Sequence, residues 1–390
     1  MIPLIHDIKI NVLERMNNFD INVLKNHNFQ MHLYTNKELC ELTFKIFDSD
    51  IIYKNETNFT GQQLKEFIQT LCLKYNVIPY HNWTHAFSVF QVYIIINIFF
   101  IYQFINIKQM FYCIYQQSNQ IKEYIKPFEY FSAQITCLAH DLNHKGLNNI
   151  YKINKKSQGS LNYYENAVLE NMHSSQLFTL LQTSSTINFQ NIFKNNVKKQ
   201  KKIKEIISYI KNKYIQQIQD QISQFKKIFI SSILATDMTQ HQKIHRKFEK
   251  RVESSLKIQL QENQLTEFDN FKAFKKDNFD DRRFIINVII HACDIGNPCL
   301  QFNNYMNWSY LITQEFQDQI EKEKLNNLPL TTFLIYKDKV SFYRGQVFFC
   351  QNIVFPLWKQ IGILFPELLL YSNQIQKNVQ ELEQRIQKIQ

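Results

Sequence analysis

Glycine and proline are scarce: 6 and 7 in 390 residues. Strand-rich folds turn tightly and often, and those turns draw on both residues. The shortage argues against a sandwich or barrel and favours long helices joined by short loops. No CxxC pair occurs, and the 7 cysteines are an odd number. A disulfide framework and a zinc ribbon are therefore not expected. The N-terminus lacks the apolar run and small-residue cleavage site of a signal peptide, so a cytoplasmic, reducing setting is the expectation. There is no clear internal repeat and no Pro- or Ser-rich linker. The most apolar stretch, 89–106 (VFQVYIIINIFFIYQFIN), is interrupted by Gln91, Asn97, Gln103 and Asn106. A membrane span prefers about 20 predominantly apolar residues, so this segment is read as a buried core helix.

Apolar residues make up 45% of the chain, enough for a sizeable core. Basic residues outnumber acidic ones, 45 against 34, for a net charge of +11. Much of the excess is local. Lys194, Lys198, Lys199, Lys201, Lys202, Lys204, Lys211 and Lys213 face one acid, Glu205. Two readings stand: a solvated insertion over about 186–222, or a patch for a protein partner or membrane surface. No base-reading motif accompanies the charge, so nucleic acid is not expected.

Helical periodicity is visible in Leu64, Phe67, Ile68 and Leu71, and in Ile222, Phe225, Ile228, Phe229 and Ile233. The run from Phe284 to Ile290 is apolar on nearly all sides, which predicts burial throughout. Near the C-terminus, Ile375, Val379, Leu382, Ile386 and Ile389 alternate at 4-3 spacing. That suits a capping amphipathic helix or a dimerisation seam.

Chemistry-bearing residues fall at the ends of apolar segments. His81 and His85 are four apart, which predicts both on one helix face. His140 and Asp141 are adjacent in LAHDLNHKGLNN (138–149), and Asp294 ends a strongly apolar helix in HACDIGNP (291–298). Each feature alone is compatible with a structural role. Together, two histidines and two carboxylates can hold one zinc. A carboxylate such as Asp141 can also reach a second, harder ion. Paired cations are the usual clamp for displacement at phosphorus.

These residues resemble a known family. YHNWTHAFSV (80–89) is similar to the class I cyclic-nucleotide phosphodiesterase signature, and HDLNHKGLNN (140–149) to its His-Asp motif. VLENMH (168–173), LATDMTQH (234–241), HACDIGNP, GQVFF (345–349) and PLW (356–358) follow in the family's order. The order is more specific than any one motif.

The resemblance implies an all-α, compact multi-helix catalytic domain with a metal site in a deep pocket, spanning 35–370. A helical extension (1–34) would precede it and an amphipathic helix (371–390) would follow. It implies His85, His140, Asp141 and Asp294 as metal ligands, for Zn2+ at a tight site and Mg2+ or Mn2+ at a second. It implies His144, Glu170, His173 and Thr236 as the support for metal-bound waters, and His81 as general acid. Tyr80, Asn297, Ile312, Gln346 and Phe349 would line the nucleotide pocket. The implied reaction is hydrolysis of cyclic AMP or cyclic GMP to the 5′-monophosphate by a metal-activated hydroxide. Other phosphohydrolase chemistry, or nucleotide binding without turnover, are the competing readings. The sequence departs from the family pattern at Ser88, Asn143, Met172 and Phe348. Loss of negative charge at the first two predicts weaker metal binding, and Phe348 bears on pocket width.

Overall fold

The computed structural model describes residues 34–49, 57–90, 118–184, 188, 204–261 and 273–390. Among these residues there are fifteen α-helices and no strand element. The expected N-terminal extension, nearly all of the apolar run 89–106 and the side chains of Lys194–Lys213 lie outside the described residues.

The first helices are α1 (Asn36–Ser49), α2 (Gly61–Leu73) and α3 (Trp83–Phe90). Thr60 starts α2 with a capping box shared with Gln63. Leu64, Phe67, Ile68 and Leu71 then face inward, fully buried, as their spacing predicts. α4 (Asn119–Tyr124) leads into α5 (Pro127–Ala139). Every residue of α5 from Phe128 to Ala139 is buried. Its buried hydroxyls, Ser132 and Thr136, donate to carbonyls one turn back, so the helix carries them inside without unpaired donors.

Two short helices, α6 (Asn149–Asn154) and α7 (Gln158–Asn162), lead to the longer α8 (Val168–Thr183). The later part of the expected insertion is not a separate structure. It forms the first half of a continuous helix, α9 (Lys204–Thr236). The stripe Phe225, Ile228, Phe229 and Ile233 is fully buried, with α9 against α5, α8 and α11 (Phe279–Asp294). α10 (His241–Gln261) runs between α9 and α11. From Phe284 to Ile290, only Phe284 and Asn287 are incompletely buried.

α12 (Phe302–Leu325) precedes a helical run formed by α13 (Lys339–Phe349) and α14 (Phe355–Leu364). A single widened turn, Cys350–Val354, joins them just ahead of Pro356, whose ring cannot follow a regular helix. Lys339–Leu364 is long and apolar enough to cross a bilayer by length and composition. It nonetheless buries Phe342, Tyr343, Val354, Leu357, Trp358 and Ile361 within the fold. α15 (Leu369–Ile389) packs on α13 and α14. Ile375, Val379 and Leu382 of its stripe are buried there, while Ile389 stays exposed. That stripe is thus largely taken up within the chain. Asn378 fixes the helix further by donating to the carbonyls of Pro298 and Leu300 at 2.8 and 2.7 Å.

Candidate active site

The site lies where α3, α5, α11 and α12 meet. His85 stands on α3, His140 follows α5, Asp141 begins the next turn, and Asp294 ends α11. One ligand atom from each of these four residues lies within 4.8 Å of the others. His85 Nε2 is 3.1 Å from Asp294 Oδ1, and His140 Nε2 is 3.0 Å from Asp141 Oδ2 and 3.2 Å from Asp294 Oδ1.

The hydrogen bonds decide what these atoms offer. His140 Nδ1 is 2.8 Å from the Cys137 carbonyl. A carbonyl only accepts, so Nδ1 carries the proton and Nε2 presents a lone pair. His140 Nε2 and Asp141 Oδ2 are buried without a hydrogen-bond partner. Converging lone pairs in a buried place are what a divalent cation satisfies. The donor set therefore fits a metal. Burial lowers the basicity of His140, but with no cation bound the Asp141 and Asp294 charges outweigh it, raise its pKa well above the usual range and favour a proton on Nε2, which a metal would displace. Burial opposes ionisation of both carboxylates too, yet the adjacent His140 holds them well below the ordinary range.

His81 corrects one expectation. It does not share a helix with His85, because α3 starts only at Trp83. Asn82 accounts for the boundary: its Oδ1 accepts from the His85 N–H at 3.1 Å, and its amide donates to the Ile78 and Pro79 carbonyls. The His81 and His85 rings are nevertheless 5.7 Å apart, centre to centre. His81 Nδ1 is 2.6 Å from Glu315 Oε1 on α12. Glu315 Oε2 also accepts from the Tyr80 and His81 backbone N–H groups, at 2.8 and 3.0 Å. Burial would lower the His81 pKa, but the Glu315 hydrogen bond and charge reverse this and raise it.

Sequence reasoning missed Glu315. A signal existed: Glu315, Gln319 and Glu323 recur every four residues on α12, and all three are buried. Gln319 accepts from the Asn148 N–H at 2.8 Å, so this stripe also fixes the loop after Asp141. Gly146 lies in that loop at φ 67, and a Cβ there would sit 3.0 Å from Glu315 Cγ. Asn143 also adopts a left-handed conformation, φ 63, which asparagine tolerates well. The departure at this position thus has a backbone role.

His144 sits beside His81, ring centres 4.0 Å apart, and its Nδ1 accepts from the Gly146 N–H at 3.0 Å. His173 Nδ1 donates to the Leu142 carbonyl at 2.6 Å, which leaves Nε2 3.6 Å from Asp141 Oδ1. Glu170 accepts from Asn149 at 2.9 Å, and burial pushes its pKa up to about 7. Thr236 ends α9, its hydroxyl donating to the Ile233 carbonyl. Ser88 donates to the His85 carbonyl at 2.7 Å, a bond within its own helix.

Of the expected pocket residues, Tyr80 packs against the His85 ring at 4.5 Å, and its hydroxyl accepts from Asn297 at 2.6 Å. Gln346 is buried, and its Oε1 accepts from the Tyr305 hydroxyl at 3.0 Å. Ile312 and Phe349 are partly buried and pack against the core. Phe348 is 63% exposed, directed away from that core.

Among the described residues, an all-helical fold brings buried histidines and carboxylates to one point, the arrangement of a candidate metal-binding site. The family model for 3′5′-cyclic nucleotide phosphodiesterase matches residues 80–375, and the chain belongs to that family. It is 26% identical over 361 residues to a cGMP-specific 3′,5′-cGMP phosphodiesterase 3 of Dictyostelium discoideum, covering 93% of this chain and 64% of that protein. It is 24% identical over 349 residues to a 3′,5′-cyclic-AMP phosphodiesterase 4C of Rattus norvegicus, covering 89% of this chain and 54% of that one. The chain thus spans less than two thirds of these relatives. Its fold matches the phosphodiesterase domain of the RhoPDE fusion protein from the choanoflagellate Salpingoeca rosetta. There the TM-score is 0.73 at 23% identity, over 96% of this chain and 98% of that domain.

Proposed function

We propose that this chain hydrolyses a 3′,5′-cyclic nucleotide, cyclic AMP or cyclic GMP, to the nucleoside 5′-monophosphate, and so terminates cyclic-nucleotide signalling. The carrying observation is the four-residue donor set beside a histidine held by a carboxylate. Relatives named for each nucleotide support the substrate class.

His85, His140, Asp141 and Asp294 would hold a zinc ion, with Asp141 shared with a second ion, magnesium or manganese. When bound, such cations polarise phosphoryl oxygens and lower the pKa of water. The chain's own residues do the rest. With Nδ1 committed to Glu315, His81 keeps Nε2 to carry a proton to the departing O3′. Its raised pKa favours the protonated form this role needs. His144, Glu170, His173 and Thr236 support bound water. Tyr80, Asn297, Ile312, Gln346 and Phe349 position the nucleotide, which turns binding into alignment. Residues 35–370 form the catalytic unit. A protein partner or membrane surface would meet the chain at Lys194–Lys213, and pairing of two copies would use the exposed end of α15 at Ile389, since the rest of its stripe packs within the chain.

The test compares His81→Ala with the parent chain. The variant keeps its metal content and loses about 10²–10⁴-fold in rate, the usual contribution of general acid catalysis. An unchanged rate removes His81 from the role.

A further inference from the structure

Among the described residues, a second group of donors converges beside the first. One ligand atom each from His81, His144 and Glu315 lies within 4.8 Å of the others. They come from separate parts of the chain: the residues ahead of α3, the loop after Asp141, and α12. His81 Nδ1 and His144 Nδ1 lie 2.6 and 3.8 Å from the same oxygen, Glu315 Oε1. The two imidazole rings are 4.0 Å apart, tilted by 32°.

These separations are near those around a bound cation. Zinc holds nitrogen and oxygen ligands at about 2.0–2.2 Å, which sets donors in a tetrahedral shell about 3.3 Å apart. The two distances to Glu315 Oε1 bracket that value, so each changes by less than about 1 Å on binding. Two imidazoles and one carboxylate suit zinc and similar transition metals rather than magnesium, and three protein ligands leave a fourth position for water. His144 Nδ1 already presents a lone pair, because it accepts from the Gly146 N–H at 3.0 Å. Glu315 Oε2 is held by the Tyr80 and His81 N–H groups, so the carboxylate keeps its place while Oε1 changes partner. Glu315 and His144 are buried, but the His81 side chain is 23% exposed, which gives a cation a way in.

We propose that His81, His144 and Glu315 form an inhibitory site for zinc or a similar transition-metal cation, distinct from the four-residue cluster. This rests on His81 being the proton donor of the proposed hydrolysis. The cation replaces the proton on His81 Nδ1, which leaves for solvent, and Glu315 Oε1 turns from accepting that N–H to binding the ion. His81 Nε2 keeps its hydrogen. That hydrogen now belongs to a neutral, metal-bound imidazole rather than an imidazolium, and it is too weakly acidic to pass to O3′. The same ion draws His144 away from the bound water it would support. Binding here is weaker than at the four-residue cluster. There is one ligand fewer, the Gly146 N–H loses its acceptor, and cations already bound nearby repel another. The site therefore fills only when zinc exceeds what the cluster takes, and the rate rises and then falls as zinc is added.

The experiment soaks crystals of the full chain in excess zinc and maps anomalous scattering at the zinc absorption edge. A peak bounded by His81 Nδ1, His144 Nδ1 and Glu315 Oε1, beside the one at the four-residue cluster, is the expected result. No zinc between these three side chains overturns the site. In parallel, hydrolysis of both nucleotides is followed in saturating magnesium as zinc is raised. The parent rate rises, then falls several-fold, and a chelator that removes the excess restores it. His144→Asn and Glu315→Gln start from lower rates but lose the falling limb. A fall that persists in either variant assigns the inhibition to zinc replacing the second ion and overturns the proposal, as does a parent rate that never falls. A parent chain that hydrolyses neither nucleotide at any zinc level refutes the proposed activity instead, and the anomalous map still decides whether the site exists.

Discussion

Replacing Glu315 with glutamine isolates what one carboxylate does for His81. The side chain accepts three donors: His81 Nδ1 at 2.6 Å, Tyr80 N at 2.8 Å and His81 N at 3.0 Å. Glutamine keeps the shape and one oxygen, but its NH2 group must face either the imidazole N–H or the two backbone donors. A hydrogen bond to a charged group contributes about 1.5–3 kcal/mol, so its loss slows the step by about 10- to 100-fold at about 1.4 kcal/mol per decade. The charge that raises the His81 pKa disappears as well, leaving fewer molecules with a proton to give. Glu315 lies outside the group of His85, His140, Asp141 and Asp294, so metal held there is predicted to stay, but with His81 and His144 it forms a second group close enough to hold an ion, which makes the metal content part of the test. The assay is kcat on cyclic AMP and cyclic GMP, with metal content measured on the same sample. A kcat within about twofold of the parent refutes the reasoning, because that is below the weakest charged hydrogen bond. A rate loss matched by metal loss refutes it differently, and makes Glu315 a prop for the Gly146 loop.

Tyr305→Phe removes the hydroxyl that holds Gln346 Oε1. The ratio of kcat/KM for the two nucleotides then shifts by about 2- to 10-fold, the range of a neutral hydrogen bond, and an unchanged ratio contradicts that role. Arg282 binds Glu129 through Nε and NH2 at 2.8–3.0 Å, with both residues buried. Arg282→Met leaves that carboxylate unpaired and lowers stability by about 3–5 kcal/mol in denaturant unfolding. An unshifted midpoint contradicts this. His291 is buried beside His241 at 2.9 Å, and burial lowers its pKa to about 4. The unfolded chain takes up its proton near 6.5, so between these values the unfolded state binds more protons and stability falls as pH drops. His291 alone costs about 2 kcal/mol between pH 7 and pH 5. His291→Gln flattens that slope, and an unaltered slope contradicts the assignment.

The parts of this protein written as patterns were legible in the sequence. Leu64, Phe67, Ile68 and Leu71 recur at helical spacing and are buried together. The grouping of His85, His140, Asp141 and Asp294 was legible because histidine and aspartate ending apolar runs are costly there without a partner. What was not legible depends on distant contacts. The start of α3 at Trp83 rests on Asn82 bonding back to Ile78 and Pro79, and helical spacing alone wrongly carried His81 into the helix. Glu315 is 234 residues from His81, so only folding joins them. The stripe of α15 suited two partners in the sequence, and packing against α13 and α14 chose the chain's own core.

The central claim is that the cluster of His85, His140, Asp141 and Asp294 binds the metals that drive cyclic-nucleotide hydrolysis. Its most direct test is a side-by-side assay of cyclic AMP and cyclic GMP with chelator-stripped chain, before and after zinc and magnesium are returned. The account predicts no turnover when stripped and 5′-monophosphate on restoration, with Asp294→Ala inactive throughout. Turnover by the stripped chain, or by Asp294→Ala at the parent rate, would contradict it.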